Sequence, residues 1–486
     1  MSKQLSQLVD IDTAFDCTVF GLTLDSRRVQ RGDLFFALAG TQTHGSRYID
    51  MALQQGAIAV LQEAETFHCN WLTSDIPCIS IPNLSQKVGD IAAAFYDNPT
   101  HSMHVIGITG TNGKTTVSHL IAQLLQQQNI NCGLVGTLGY GLYGKLQTGL
   151  NTTPDAVYLQ QQFAQWLAKY IRHIAMEVSS HALEQGRVQG ILFDTAVFTN
   201  LSHDHLDYHH TMEAYAAAKQ KLFHMPGLKT AVLNQDDIFG QQFKKQLDST
   251  MTCLTYGLTE GCDVYANIIE YNELGTFLKI HTPWGNETGH LPLFGKFNIY
   301  NVLAALTALL KIGFNLSTLV NQMQTVKAVD GRMERFGQAD QPTVIVDYAH
   351  TPDALENALR ALKAHCKGAL WCVFGCGGNR DKTKRSVMGK IATEYADKVI
   401  LTDDNPRHEA PHHIIADIQQ GCPHPTAIIA DRAQAIRYAI HHATQNDIVL
   451  IPGKGHETYQ QIGDERVPFS DRAIVQSLLG SKLGTE

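Results

Sequence analysis

Gly110-Thr111-Asn112-Gly113-Lys114-Thr115-Thr116 lies between an apolar run, Val105-Ile106-Gly107-Ile108, and an amphipathic stretch from Thr116 to Gln128. In that stretch Val117, Leu120, Ile121, Leu124 and Leu125 recur at helical spacing. Strand, glycine turn and helix start make a nest for phosphate, with backbone N–H groups and the helix N-terminus facing the anion and Lys114 adding a point charge. Thr115 is placed to offer a hydroxyl to Mg²⁺. The segment therefore predicts a nucleoside triphosphate site. The general pattern G-x-x-x-x-G-K-[ST] would put its first glycine at position 108, which is Ile108; glycines stand instead at 107 and 110. This argues against an ordinary P-loop kinase or GTPase and for a variant loop.

With 486 residues the chain is too long for one core and suits about three domains of ~150 residues. Hydrophobic content of 44% with 17% charged residues fits a soluble globular enzyme. A net charge of −8 speaks against a broad nucleic-acid surface. No apolar run is long enough for a membrane span, and Met1 to Asp12 lacks the basic-then-apolar pattern of an export signal. The ten cysteines contain no C-x-x-C pair and read as reduced thiols of a cytoplasmic protein. Cys372 and Cys376 flank a glycine-rich strand end and read as core residues before they read as a zinc pair. His209-His210 and His412-His413 read as solvated pairs.

The chain divides into 1–98, 99–336 and 337–486. The first part has short apolar runs, Ile58 to Leu61 and Cys78 to Ile81, and ends in the turn-rich Tyr96 to Thr100. In the second, Ile174 to Val178, Thr195 to Thr199 and Ala231 to Leu233 read as buried strands separated by helical stretches, which implies a mostly parallel sheet. The third repeats the alternation, with strands at Val344 to Val346, Leu370 to Phe374, Val399 to Leu401, Ala427 to Ile429 and Ile448 to Ile451, and a helix over Asp353 to Ala364. The fold class is three-domain α/β, with a Rossmann-like third domain. Polar or glycine clusters follow the apolar runs directly: Asp347 to His350, Gly375 to Arg380, Asp403 to Arg407 and Gly453 to Glu457. Ligands of parallel sheets bind beyond the carboxyl ends of the strands, so these clusters are expected to face a cleft shared by the two sheets.

Taken together, these segments resemble the Mur ligases, ATP-dependent enzymes that build the peptide of peptidoglycan, and within them the branch that adds the third residue. The resemblance covers essentially the whole chain. It rests on the variant loop Gly110 to Thr115, on Glu177-Val178-Ser179-Ser180-His181, on Asn200 to Asp207, on Gly331-Arg332 and on Asp347-Tyr348-Ala349-His350. It implies a two-step amide ligation in which a terminal carboxylate attacks the γ-phosphorus of ATP and an amine then displaces phosphate from the acyl phosphate. Such transfers depend on alignment and charge neutralisation.

The same resemblance implies site residues. Lys114 reaches the β- and γ-phosphates within Gly110, Thr111, Asn112, Gly113, Thr115 and Thr116. Thr115, Glu177 and His205 surround Mg²⁺. Lys219 lies in Tyr215 to Phe223, which composition reads as a helix with its lysine on a solvated face. The family reading makes it a lysine carbamylated by CO₂ that holds a second Mg²⁺ and requires a depressed pKa. Asn298, Asn301, Arg332 and Asp347 bind the rest of the nucleotide; Asn298 and Asn301 read equally well as helix caps. A hinge near Phe336 closes over ATP.

The acceptor implied is UDP-N-acetylmuramoyl dipeptide. Leu24 and Ser26 match the uridine site. Thr41-Gln42-Thr43 stands where the family usually has His-Gln-Ala. Asn151, Thr152, Thr153, Ser179, Gln185 and Arg187 match the muramoyl-peptide and diphosphate contacts. Asp404-Asn405-Pro406-Arg407 matches the motif that selects meso-diaminopimelate over lysine. An arginine fork suits the extra carboxylate and would be left unpaired opposite lysine. Arg380 is a second carboxylate clamp, with Gly453 and Glu457 at the amine end. The expected state is a monomer. The rival readings are a related ligase adding L-lysine and a nucleotide-switched binding protein.

Overall fold

The computed structural model describes all residues except 41, 42, 150, 273, 339 and 481–486. Chain contacts divide it into two compact units, Met1–Tyr265 with Leu303–Phe314, and Ala266–Val302 with Asn315–Glu486.

The first unit contains two larger sheets besides a short pair, Lys3–Gln4 with Thr18–Val19. In the N-terminal one, Gly21–Thr23, Asp33–Ala37, Ala59–Glu63 and Pro77–Ile81 run parallel in that order, and His68–Trp71 closes one edge antiparallel. Leu34, Phe36, Leu61 and Ile79 from this sheet pack on Val88, Ile91 and Phe95 of the helix Val88–Phe95. In the larger sheet, Cys132–Gly136, His173–Glu177, His104–Thr109, Thr195–Phe198, Thr230–Asn234 and Thr252–Gly257 lie side by side in that order, all parallel. Ile106, Ile108, Ala175, Met176, Ala196, Val197, Val232 and Leu233 are all buried. Helices cover both faces, so these strands read as continuous apolar runs rather than alternating ones. The predicted strands fall within one or two residues of those observed.

In the second unit, Gly275–Thr282 and Gly285–Leu291 form an antiparallel hairpin. The C-terminal sheet sets Glu334–Phe336 antiparallel to Thr343–Asp347. Ile448–Pro452, Leu370–Phe374, Lys398–Leu401 and Ala427–Ile428 follow in parallel. Chain order reverses at Ile448–Pro452, which lies between Thr343–Asp347 and Leu370–Phe374, a topological switch point of the kind that binds ligands in open α/β sheets. All four polar clusters begin at a strand's last residue or within two residues after it. Pro352–Lys363 and Thr383–Tyr395 pack on one face through Leu355, Leu359, Leu362, Met388 and Ile391. Arg432–His442 and Asp471–Leu479 pack on the other through Ile436, Ala439, Val475 and Leu479.

Among the described residues all ten cysteines are free thiols. Burial pushes the Cys372 thiol far up, while Cys376 is pushed up to about 12 and faces Met388 Sδ at 3.7 Å. Both are core residues.

Candidate active site

The phosphate loop follows the strand His104–Thr109 and ends in the helix Lys114–Gln126. Gly110 and Gly113 have φ of +149° and +88°, conformations that favour glycine. A Cβ on Gly110 would stand 1.9 Å from Thr199 Oγ1. The loop is anchored to the end of the neighbouring strand. Thr199 Oγ1 donates to Asn112 O at 2.6 Å, and Asn200 accepts from Asn112 N at 3.0 Å and donates to Asn112 O at 3.1 Å. Thr111 Oγ1 accepts from Ser202 N at 3.0 Å and lies 3.3 Å from the Tyr215 hydroxyl. Thr115 is buried and Thr116 half-buried in the first helical turn.

Lys219 is not on a solvated face. It is 1% exposed near the end of the helix Met212–Gln220, over the Tyr215 ring at 4.5 Å, and its Nζ donates to Gly110 O at 2.8 Å. Lys114 Nζ donates to the same oxygen and to Thr111 O, each at 2.8 Å. Burial, with the Lys114 charge adding to it, pulls the Lys219 amine well below the ordinary lysine range.

Glu177 ends the strand His173–Glu177 and is buried; its carboxylate accepts from Thr137 N at 2.9 Å and from Thr137 Oγ1 at 3.1 Å. Thr137 Oγ1 also meets Thr152 Oγ1 at 3.1 Å. Thr153 Oγ1 donates to Glu177 O at 2.8 Å and accepts from Ser179 N at 3.1 Å, while Arg187 donates to Thr153 O at 3.0 Å and to Gln185 Oε1. Glu177, Thr152, Thr153, Ser179, Gln185 and Arg187 thus form one network. Asn151 joins at its edge through its carbonyl oxygen, which accepts from the Tyr140 hydroxyl. His205, at φ +53°, pairs with Asp204 at 3.5 Å, and its ring lies 5.1 Å from that of His181. His209 corrects the reading of a solvated pair. It is buried, with Nε2 2.9 Å from Ser180 Oγ and its ring stacked on Tyr215. Exposed His412 and His413 fit that reading.

Among the described residues no three His, Cys, Asp or Glu side chains are grouped to hold a metal by themselves. That suits Mg²⁺, which keeps waters and substrate phosphates and takes one or two protein groups. Of the residues expected to hold the ion, Thr115 lies in the first turn of the helix after the phosphate loop, and Glu177 ends the strand paired with the loop's own strand.

In the N-terminal sheet Ser26 is buried with Oγ 3.4 Å from Met51 Sδ, Leu24 is half-buried, and Asp25 caps the turn by accepting from Arg27 N at 3.0 Å. Thr43 is exposed and its carbonyl accepts from Gly40 N at 3.1 Å. Thr41 and Gln42 lie outside the described residues.

In the second unit Asn298 and Asn301 lie inside the helix Lys296–Lys311, and both are buried. Asn298 donates to Phe294 O at 2.8 Å and accepts from Asn301 at 3.1 Å, so neither is an N-cap. Asp347 ends its strand and accepts from Met333 N at 2.8 Å and Ala349 N at 3.2 Å; burial raises its pKa. Arg332 lies over the Tyr348 ring at 4.4 Å.

Asp404-Asn405-Pro406-Arg407 follows the strand Lys398–Leu401. Arg407 has φ +53°, and its Nη1 donates to Gly378 O at 2.7 Å. Its backbone pairs with Gln461 O at 3.0 Å and Gly463 N at 2.8 Å. Asn405 Oδ1 accepts from Lys454 Nζ and Gln461 N, both at 2.9 Å, and its Nδ2 donates to Glu457 at 3.0 Å. Burial raises the Asp404 carboxyl against the pull of Arg432 and Lys454. A Cβ on Gly453, whose φ is +121°, would stand 2.5 Å from Asp404 Oδ2. Arg380 is exposed one residue beyond Asn379.

Three family models match the chain in order: "Mur ligase family, catalytic domain" over 18–96, "Mur ligase middle domain" over 108–309 and "Mur ligase, glutamate ligase domain" over 331–455. The chain belongs to the Mur ligase family. It is 48% identical over 479 residues to the UDP-N-acetylmuramoyl-L-alanyl-D-glutamate–2,6-diaminopimelate ligase of Coxiella burnetii, covering 96% of this chain and 98% of that one. It is 47% identical over 460 residues to the protein of the same name from Pseudomonas aeruginosa, covering 94% of each. A solved structure of a ligase of that name aligns with a TM-score of 0.76 at 37% identity over 99% of both chains. MurF from Acinetobacter baumannii shares the fold, with a TM-score of 0.65 at 18% identity, over 98% of this chain and 97% of that one.

Within this Mur ligase, sequence reading overlooked the residues that hold others in place. Thr137 orients Glu177, the Tyr215 hydroxyl braces Thr111, and Lys454, fully buried, joins Asn405 to Glu457. Lys454 lies between two glycines directly after a strand, and that position was its one signal.

Proposed function

We propose that the chain is the ATP-dependent ligase that joins meso-diaminopimelate to UDP-N-acetylmuramoyl-L-alanyl-D-glutamate in the cytoplasm, during peptidoglycan synthesis. The observation that carries the reading is the end-to-end likeness to the diaminopimelate ligases in a chain that holds both the phosphate loop and Arg407. Domains at 1–98, 99–336 and 337–486 would serve the uridine nucleotide, ATP and the amino acid in turn.

The phosphate loop and Lys114 hold the triphosphate, and Asn298, Asn301, Arg332 and Asp347 take the rest of the nucleotide. Mg²⁺ held near Thr115, Glu177 and His205 supplies charge neutralisation for the phosphoryl group. Lys219 is suited to carbamylation because its amine is buried and its pKa is drawn well below the ordinary lysine range. The nitrogen attacks CO₂, an N–C bond forms, one proton leaves, and the new carboxylate is a hard ligand for a second Mg²⁺. Leu24, Ser26 and Thr41 to Thr43 take the uridine. Asn151 to Thr153, Ser179, Gln185 and Arg187 take the muramoyl peptide and its diphosphate. Arg380 and Arg407 clamp the distal carboxylate of diaminopimelate, and Asp404, Asn405, Gly453 and Glu457 position its amine end.

The test is an amino-acid panel with ATP, Mg²⁺ and UDP-muramoyl dipeptide, reading ADP release and product mass. The expected result is ADP release that needs both acceptor and meso-diaminopimelate, with a product heavier by that residue. Equal use of L-lysine, or hydrolysis without acceptor, would overturn it.

A further inference from the structure

Two loops carry the guanidinium groups assigned to the diaminopimelate carboxylate. One, Gly375 to Asp381, follows the strand Leu370–Phe374; the other, Thr402 to Glu409, follows Lys398–Leu401. Neither belongs to a strand or helix over most of its length, so its conformation needs side-chain support.

That support comes from a residue on the helix Thr383–Tyr395. Arg385 is fully buried. Its Nη1 donates to Glu409 Oε2 at 3.0 Å and to Asp417 Oδ2 at 2.9 Å, and its Nη2 donates to Glu409 Oε1 at 3.1 Å and Gly377 O at 3.3 Å. Glu409 Oε1 accepts in addition from Asn379 N at 2.6 Å. One carboxylate therefore ties the second loop to a buried fork and to the backbone of the first. The loops are also sewn together directly: Gly378 N donates to Asn405 O at 2.9 Å and His408 N to Asn379 Oδ1 at 3.0 Å. The carbonyl that aims Arg407, Gly378 O, lies between Gly377, held by Arg385, and Asn379, held by Glu409. The fit leaves no slack, since a Cβ on Gly378 would stand 1.9 Å from Pro406 O.

We infer that the Arg385–Glu409 pair is a positioning device for amino-acid selection: it fixes the Gly377–Asn379 backbone, which in turn aims Arg407 at the distal carboxylate. The inference rests on the proposed role of Arg407. Neither Arg385 nor Glu409 touches the amino acid; both act through the loop. A parallel two-bond fork is what a lysine at 385 or an amide at 409 could not reproduce, and small errors of aim are costly in a site built for a rigid carboxylate.

The test compares wild type, Glu409→Gln, Arg407→Ala and the double variant, measuring KM for meso-diaminopimelate, ATP and UDP-muramoyl dipeptide together with the melting temperature of the ATP-bound enzyme. Glu409→Gln is expected to raise the diaminopimelate KM about tenfold, the cost of one misaimed charged contact. The other two KM values should hold, and the change should add nothing in the Arg407→Ala background. Arg385→Lys carries the same expectation if Glu409→Gln does not fold. All three KM values moving together, or additive effects in the double variant, would overturn the inference and leave the Arg407 reading intact. An unchanged diaminopimelate KM in Arg407→Ala would overturn both.

Discussion

Lys114 and Lys219, 105 positions apart in the chain, donate to one oxygen, the Gly110 carbonyl, each at 2.8 Å. Two ammonium groups cannot share a buried acceptor without cost. Lys114 begins a helix and remains half-exposed, while Lys219 is sealed beneath the loop. Burial and the neighbouring Lys114 charge therefore weaken the hold of Lys219 on its proton, so the packing under the phosphate loop favours the neutral amine.

Lys219→Met should separate stability from activity. A lysine whose pKa is depressed on folding binds its proton more tightly in the unfolded chain. Its cost to stability is thus fully present below the folded pKa and is relieved as pH rises toward the ordinary lysine range. Removing the amine removes that cost, so the variant is expected to melt at or above wild type at neutral pH in CO₂-free buffer. Ligase activity should fall about 10²-fold or more, since the carbamate's contribution to metal charge is of the order of several kcal/mol, with partial recovery on adding short carboxylates. Wild-type activity at limiting CO₂ should rise with pH, and bicarbonate should restore the low-pH end. A variant that stays active without added carboxylate would remove Lys219 from the mechanism.

Arg407→Ala tests selection. Among the described residues its guanidinium makes one hydrogen bond, to Gly378 O, which leaves its other N–H groups for a ligand. Hydrogen bonds between charged groups are worth about 1.5–3 kcal/mol each, so the diaminopimelate KM should rise about 10²-fold. The ATP KM should stay within about twofold, and discrimination against L-lysine should shrink. Initial-rate kinetics with both amino acids read this directly.

The sheets were legible because they are covered on both faces. Leu370 to Phe374 and Ile448 to Ile451 are unbroken apolar runs that only a fully buried strand requires, and the polar residues after them mark the ligand end. Lys219 was less legible: Met212–Gln220 is rich in alanine, so no large apolar stripe marks its buried face. One signal was present, because position 219 is one helical repeat from the buried aromatic at 215. The pairing of Asn405 with Lys454 was out of reach, since it joins loops from strands that are not neighbours in the sheet. His209 misled for a related reason. The two histidines look alike in sequence, and only the turn after Leu206–His209 sends one inward and the next outward.

Gly110→Ala should abolish nucleotide binding without disturbing the uridine site. The new methyl would meet Thr199 Oγ1 at 1.9 Å in a backbone of φ +149° that costs a non-glycine residue about 1–3 kcal/mol. Trimming the neighbour in Gly110→Ala/Thr199→Ala relieves the clash but not the backbone strain, and it removes the hydrogen bond to Asn112 O. The double variant should therefore remain deficient. Calorimetric titration with ATP, and separately with UDP-muramoyl dipeptide, would show the first lost and the second retained.

Acid should reveal Glu409. The Arg385 fork, with the Asn379 amide beside it, holds its carboxyl down at about 2, against an ordinary 4.5. A carboxyl whose folded pKa is depressed contributes stability that is fully present above the unfolded value and is lost as pH falls through the folded one. The difference in melting temperature between wild type and Glu409→Gln should accordingly be constant from neutrality down to about pH 4.5, shrink below it, and vanish near pH 2. Other carboxylates titrate over the same range in both proteins and cancel in the difference. A gap that persists below pH 2, or one already closing at pH 6, would show that the Arg385–Glu409 bond is not the interaction being titrated.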